Sequence, residues 1–206
     1  MAAQEQLTVC GFVANPSAPT PTPSGADNSV TYSYKLVGVD SQGNLTAAST
    51  AGTTTHGPTT LSSINHIVVT WTDPANAVFV KVYRTVGGTT QGLIGTVAAG
   101  VQTLNDTGLA GDGSTASAVN GTGVGPASNA DILFHREKYV QFGGTFSATV
   151  KVQGTIDGTT WADAASATAS SAAVVSVAET WVQIRIVMTA YSSGTATAWW
   201  AGHREG

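Results

Sequence analysis

A single cysteine, Cys10, stands in 206 residues, so no internal disulfide can form. Charge is scarce, at 10% of the chain. The eight Lys and Arg residues are scattered, which excludes the concentrated basic face that a nucleic-acid binder turns to phosphates. No apolar run approaches the roughly 20 residues of a membrane-spanning helix, so no membrane partner is expected. The opening Met1-Ala2-Ala3-Gln4-Glu5-Gln6 lacks the basic start and apolar stretch of a signal peptide, and points to a protein made in a cytoplasm. His56, His66, His135 and His203 keep no metal-type spacing to another His, Cys or carboxylate. No Gly-x-Ser-x-Gly elbow is present. Gly121-Thr-Gly-Val-Gly125 is followed by Pro126 and small residues, without the helix that phosphate binding needs. Cys10 has no nearby base or cation to activate it. The expectation is a chain without catalytic residues, metal or cofactor.

What is present is a β protein's composition. Apolar residues reach 42%, with 24 glycines and abundant Thr, Ser and Ala. A chain this apolar and this short of charge folds rather than staying disordered. It is a poor recipe for helices, whose exposed faces favour Glu, Lys, Leu and Arg. The length allows one large domain or two small ones.

Along the chain, Leu7 to Val13 is a short apolar piece, followed by Pro16-Ser-Ala-Pro-Thr-Pro-Thr-Pro23. Four prolines in eight residues hold an extended path. Residues 1–23 therefore read as an arm and stiff linker, with Leu7, Val9, Phe12 and Val13 as its anchoring side chains. The apolar piece either docks on a neighbouring subunit or on the chain's own first domain, or is simply a first strand.

Tyr32, Tyr34 and Leu36 alternate with Ser33, Lys35 and Val37, a half-buried strand. Asp40-Ser-Gln-Gly-Asn44 then turns the chain into a hairpin whose return spans Leu45 to Thr50. Further strands are expected at Ile64–Trp71, Ala77–Arg84, Gly92–Val97 and Val101–Asn105. Gly108 to Ser128 holds six glycines and almost no large apolar residue, and reads as an interdomain linker. Strands follow at Phe146–Val152, Val174–Val177, Trp181–Met188 and Thr195–Trp200. Short strands with turn signals between them predict an all-β chain of two small antiparallel β-sandwich domains. The first spans 24–107 and the second, sandwich or jelly-roll-like, 130–206, with the Gly-rich linker at 108–129.

Trp71, then Tyr83-Arg84, then Asp106-Thr-Gly108 resembles the first half of a fibronectin type III-like (Ig-like) domain. Tyr32-x-Tyr34 with Val39-Asp40, Gly43 and Ser49 resembles the last hairpin of such a domain, placed first, as in a permuted sandwich. Gly144-Thr-Phe146, Gln153-Gly-Thr-Ile-Asp-Gly-Thr-Thr-Trp161 and Ile184-Arg185 are similar to small β modules of phage virion proteins. Together the resemblances cover about nine-tenths of the chain. They imply a non-enzymatic virion structural protein. The leading expectation is a capsid decoration (cement) protein on the outer surface of the head, assembled in the host cytoplasm. Its partners would be the major capsid protein and itself, as a homotrimer. A tail, neck or fibre component is the alternative, as is a carbohydrate-binding module contacting a host-surface glycan. Trp199 and Trp200 are candidates for subunit or glycan contact, since adjacent strand residues face opposite ways. His135 and Arg136, in the charged run Asp131–Lys138, are candidates for contact or for a solvated strand entrance.

Overall fold

A computed structural model describes residues 2–129, 132, 133, 135, 137–169, 173–177 and 180–203. Among the described residues there are twelve strands and no α-helix. Numbered along the chain, they are β1 (Ala2–Leu7), β2 (Thr20–Ser24), β3 (Val30–Val39), β4 (Gly52–Gly57), β5 (His66–Thr70) and β6 (Phe79–Val86). Then come β7 (Gly92–Ala98), β8 (Thr103–Asp106), β9 (Glu137–Thr155), β10 (Ala162–Ala169), β11 (Ala173–Ser176) and β12 (Gln183–His203). All the strand pairs are antiparallel.

The chain divides into two units, but not where the sequence suggests. Val13–Thr122 forms one unit, and Met1–Phe12 with Gly123–Gly206 forms the other. The first is thus inserted into the second, after its opening strand. The inserted unit's two ends are tied to each other. Val13 N donates to Thr122 Oγ1 at 3.1 Å, and Asn120 Nδ2 donates to Val13 O and Asn15 Oδ1, both at 2.9 Å.

The inserted unit is a sandwich of a three-stranded sheet, β2-β5-β8, and a four-stranded sheet, β4-β3-β6-β7. Tyr32, Tyr34 and Leu36 of β3, Val80 and Val82 of β6, and Ile67 and Val69 of β5 share one buried core. The period-two alternation of β3 and β6 supplies one wall, and the β-branched run of β5 the other. The Asp40 turn is as expected: its Oδ1 accepts from Gln42 N at 2.8 Å and Asn44 N at 2.9 Å. The returning strand differs, running from Gly52 to Gly57 rather than Leu45 to Thr50.

Two segments read as linkers are structured. The proline run carries β2, at the edge of its sheet beside β5. Pro19, Pro21 and Pro23 occupy alternate positions, so their missing N–H groups all fall on one side of the strand. That is the open side, where no partner needs a donor. The glycine-rich stretch also packs. Ala48 N donates to Ser117 O at 2.7 Å, and Gly121 N to Leu45 O at 2.9 Å, within the inserted unit.

The terminal unit is one five-stranded sheet in which β1, β12, β9 and β10 are neighbours in that order and β11 also pairs with β9. β9 and β12 have 19 and 21 residues. Drawn straight, the longer would span ~70 Å at ~3.3 Å per residue, far beyond a small domain. It does not run straight, because both of its halves feed one core. Ile184, Ile186 and Met188 from its first half share that core with Ala196, Ala198 and Trp200 from its second. The sheet folds over at a register shift between Thr189 and Ser193. Gly144 and Gly194 stand at this corner with φ of 89°. A Cβ on Gly194 would lie 2.1 Å from Thr145 O, and one on Gly144 2.3 Å from Thr195 O. Only glycine permits both the positive φ and the approach. Gly123 and Gly125 continue this unit: Met188 N donates to Gly123 O and Gly125 N to Ile186 O, both at 2.8 Å.

Candidate functional site

Three polar or aromatic clusters are built by these two units. The first lies in the inserted unit and is internal. Arg84 from β6 and Asp106 from the end of β8 are both essentially without solvent contact, at 1% and 0% side-chain exposure. Arg84 Nη1 donates to Asp106 Oδ2 at 2.6 Å and to Oδ1 at 2.8 Å. The rest of the guanidinium donates to Thr90 O and Leu109 O. Tyr34 OH from β3 donates to Asp106 Oδ2 at 2.8 Å, and Gly108 N and Leu109 N donate to Oδ1. Burial first, and then the Asp106 charge, push the Tyr34 phenol far above its ordinary pKa. A buried ion pair is tolerable when its remaining donors and lone pairs are satisfied, and here they are. The Tyr-Arg and Asp-Thr-Gly motifs noted in the sequence are therefore two halves of one structural bond.

The second cluster is on the outward face of the terminal unit. Arg185 of β12 lies 4.1 Å from the Trp161 ring centroid, a cation–π stack. Its Nε and Nη2 donate to Gln153 Oε1 of β9 at 3.1 and 2.9 Å. Gln153 Nε2 donates to Asp163 Oδ1, and Lys151 Nζ to Asp163 Oδ2 at 2.6 Å. Those two bonds, Lys151's first, hold the Asp163 carboxyl below the usual range. Asp157 caps the turn between β9 and β10. Its Oδ1 accepts from Thr160 N at 2.6 Å, Thr159 N at 2.8 Å and Thr155 Oγ1 at 2.9 Å. These bonds, led by Thr160 N, hold its pKa well below the ordinary carboxylate value. On the opposite, inward face Trp181 packs on the core and lies directly over Gly154, where a Cβ would stand 2.1 Å from the indole. Gln153, Gly154, Asp157, Trp161 and Arg185 are thus brought together as a supported hairpin.

The third cluster lies where β1, β12, β9 and β11 run side by side. Adjacent Trp199 and Trp200 face opposite ways. Trp200 is 2% exposed and sits in the core, with Nε1 donating to Glu5 Oε2 of β1 at 2.8 Å. Trp199 is 45% exposed, as is Tyr139 of β9. Exposed Val174 of β11, Gln141 of β9, Thr197 of β12 and Gln4 of β1 border an open groove of about 440 Å³ with them.

The residues singled out in the sequence divide accordingly. Trp199 is on the surface. His135 is not: it is 4% exposed and meets the Trp200 ring edge-on at 5.3 Å. It and Trp200 are core residues, which corrects their reading as contact residues. Arg136 lies outside the described residues. The anchoring arm is also corrected. Leu7 is buried opposite Ala198 in the terminal unit's core, with Val9 and Phe12 packed on it. Val13 is buried in the inserted unit, near Gly38. These side chains are apolar because they fill the chain's own cores. Tyr139 and Gln141 were missed, although the alternation Tyr139-Val-Gln-Phe-Gly143 marks them as outward. Gln4 and Gln6 carried no such signal, because their place depends on pairing with β12. Among the described residues no group of three His, Cys, Asp or Glu converges as a metal site.

No family model matches this chain, and no curated protein matches it in sequence. Among solved structures it is similar to one described as the crystal structure of PBSX exported protein XepA. Identity is 14% and the TM-score 0.32, over 97% of this chain and 86% of that one. A likeness that loose carries no argument about fold or function.

Proposed function

We propose that this chain is a non-enzymatic structural protein of a phage-type virus particle, placed on the outer surface of the head as a decoration (cement) protein. One observation carries the non-enzymatic part. Among the described residues the buried charged or imidazole side chains are held within the fold: Arg84 and Asp106 by each other, Asp40 by Gln42 N and Asn44, Lys138 Nζ by His135 O at 2.8 Å, and the His135 ring edge-on against Trp200. A catalytic site needs titratable groups aimed at a common point that a substrate can reach. The virion part is supported by the sequence resemblance, several of whose quoted residues come together in the fold: Tyr34, Asp106 and Gly108 around Arg84, and Gln153 and Trp161 around Arg185.

A decoration protein acts mechanically, by burying area against neighbouring subunits. A standard interface covers ~1,600 Å², and many copies sum to a large effect on a shell. The major capsid protein and further copies of this chain, as a trimer, are its partners on this reading. The inserted unit offers a surface for such contact. Val78, Phe79 and Val101 are exposed near one another, where Ala99 N donates to Val78 O and Phe79 pairs with Ala98. Exposed apolar side chains in a group mark interaction surfaces.

Gold-labelled antibody against the chain, viewed on intact particles by electron microscopy, tests the placement. Label over the head is the expected result. Label confined to tail or neck overturns the decoration reading and makes the chain a tail or fibre component. Particles without label overturn the virion assignment itself.

A further inference from the structure

The geometry points to a binding platform for a neutral saccharide on the outward face of the terminal unit, centred on Trp199. This goes beyond the structural role proposed above and does not depend on it. The strand register sets the platform out in rows. Across the sheet, Gln6 of β1, Trp199 of β12, Gln141 of β9 and Val174 of β11 are successive partners. In the adjacent row Gln4, Ala201 and Tyr139 are partners, and on the other side Thr197 pairs with Gly143.

Trp199 and Tyr139 are therefore diagonal neighbours, at a spacing of about 7–8 Å, with small Ala201 between them along β12. Gly143 leaves the other diagonal without a side chain. The result is two exposed aromatic groups beside a low floor, with the amides of Gln4, Gln6 and Gln141 around them.

Each part matches what a sugar ring presents. The ring's C–H face is apolar and stacks on an aromatic surface. Its hydroxyls both donate and accept, and a primary amide offers two donors and an acceptor oxygen. The groove's 440 Å³ falls within the ~300–1,000 Å³ of small-molecule sites. Charge selects among saccharides: among the described residues no Asp, Glu, Lys, Arg or His lines the groove. An acidic glycan would find no cation there to offset its desolvation, whereas a neutral one needs none. A protein partner fits less well. A stable interface covers ~800 Å² on each side around an apolar centre. Here the exposed apolar groups are Trp199, Tyr139 and Val174, separated by amides.

The test applies the full chain to a printed array of neutral and acidic oligosaccharides. The strongest binder is then titrated by tryptophan fluorescence against wild type, Trp199→Ala and Gln141→Leu. The expected result is binding of at least one neutral oligosaccharide, weakened about tenfold or more in Trp199→Ala and less in Gln141→Leu. Both variants should melt as wild type does, since both side chains are outward. Absence of binding, binding of acidic saccharides alone, or binding unchanged in both variants overturns the inference. So does a wild-type oligomer that dissociates in Trp199→Ala on sedimentation without saccharide binding, which would assign the face to a second copy.

Discussion

Asp106 ties together three parts of the inserted unit. It joins β3 through Tyr34, β6 through Arg84 and its own turn through Gly108 N and Leu109 N. Removing its carboxylate leaves a guanidinium buried without a counter-charge. We expect Asp106→Ala to cost about 3–5 kcal/mol, read as a lower urea midpoint. The double variant Arg84→Met/Asp106→Leu should lose less than the two single losses summed, because it buries no orphaned charge. Asp157 has the opposite setting, a solvent-facing turn, and its effect is seen in pH dependence. Its hydrogen bonds depress the folded-state pKa, so the folded chain binds this proton less readily than the unfolded chain. The stabilisation is therefore complete above the ordinary carboxylate value of about 3.9 and is lost as pH falls below it toward the depressed value. Asp157→Asn keeps an acceptor oxygen and removes the titration. Its melting temperature should fall less steeply than wild type between about pH 4 and about pH 2. Parallel profiles would mean that the turn carboxylate does not drive the acid loss. Asp27, Asp112 and Asp163, also depressed, supply the part that remains in the variant.

At the scale of elements, the apolar piece Leu7 to Val13 shows what a segment alone leaves open. Read along the sequence it is an arm docked on a neighbour or on the chain's own first domain, or simply a first strand. In the fold its Leu7 ends β1, the edge strand of its own sheet, and fills the core with Val9 and Phe12 packed on it, while Glu5 of β1 accepts from Trp200 Nε1. Deleting residues 1–23 would therefore remove β1 from one unit and nearly all of β2 from the other. A cut that leaves the inserted unit whole isolates the effect. Without residues 1–7, amides of Ala198 to His203 that face β1 lose their cover. We expect faster hydrogen exchange there and a lower melting temperature for the terminal unit, with the inserted unit's protection unchanged. The proline run and the glycine run teach a related lesson. Prolines at alternate positions end pairing on one side of a strand without preventing it on the other. Gly123 and Gly125 mark backbone pressed against backbone, with Met188 O and Thr8 O each within 2.4 Å of where a Cβ would be. Composition alone reads both runs as linkers.

At the scale of the whole molecule, the insertion of one unit into the other has a testable consequence. The inserted unit has its own core, and the Val13, Asn120 and Thr122 hydrogen bonds hold its ends together. Domains with adjacent termini are the ones that tolerate insertion, because the host loses little when they are added. Residues 13–122 expressed alone should fold, giving a dispersed amide spectrum and one cooperative melt. A disordered product would show that this core depends on the rest of the chain.

The alternation in Tyr32–Leu36, Val80–Val82 and Ile184–Met188, the Asp40 and Asp157 turns, and the opposed faces of Trp199 and Trp200 were all legible in the sequence. Each depends on residues within a few positions of one another, where the two-residue period of a strand and the chemistry of a turn act directly. The same locality made the all-β class readable from composition. Only the tertiary structure decided that residues 1–12 belong with 123–206, and that Arg84 meets Asp106. It also decided that His135 is core, and that Gln4, Gln6 and Gln141 surround Trp199. Those facts depend on register between strands up to about two hundred positions apart. Pairing over that distance is selected by the joint burial of both partners' faces, and no single segment carries that information.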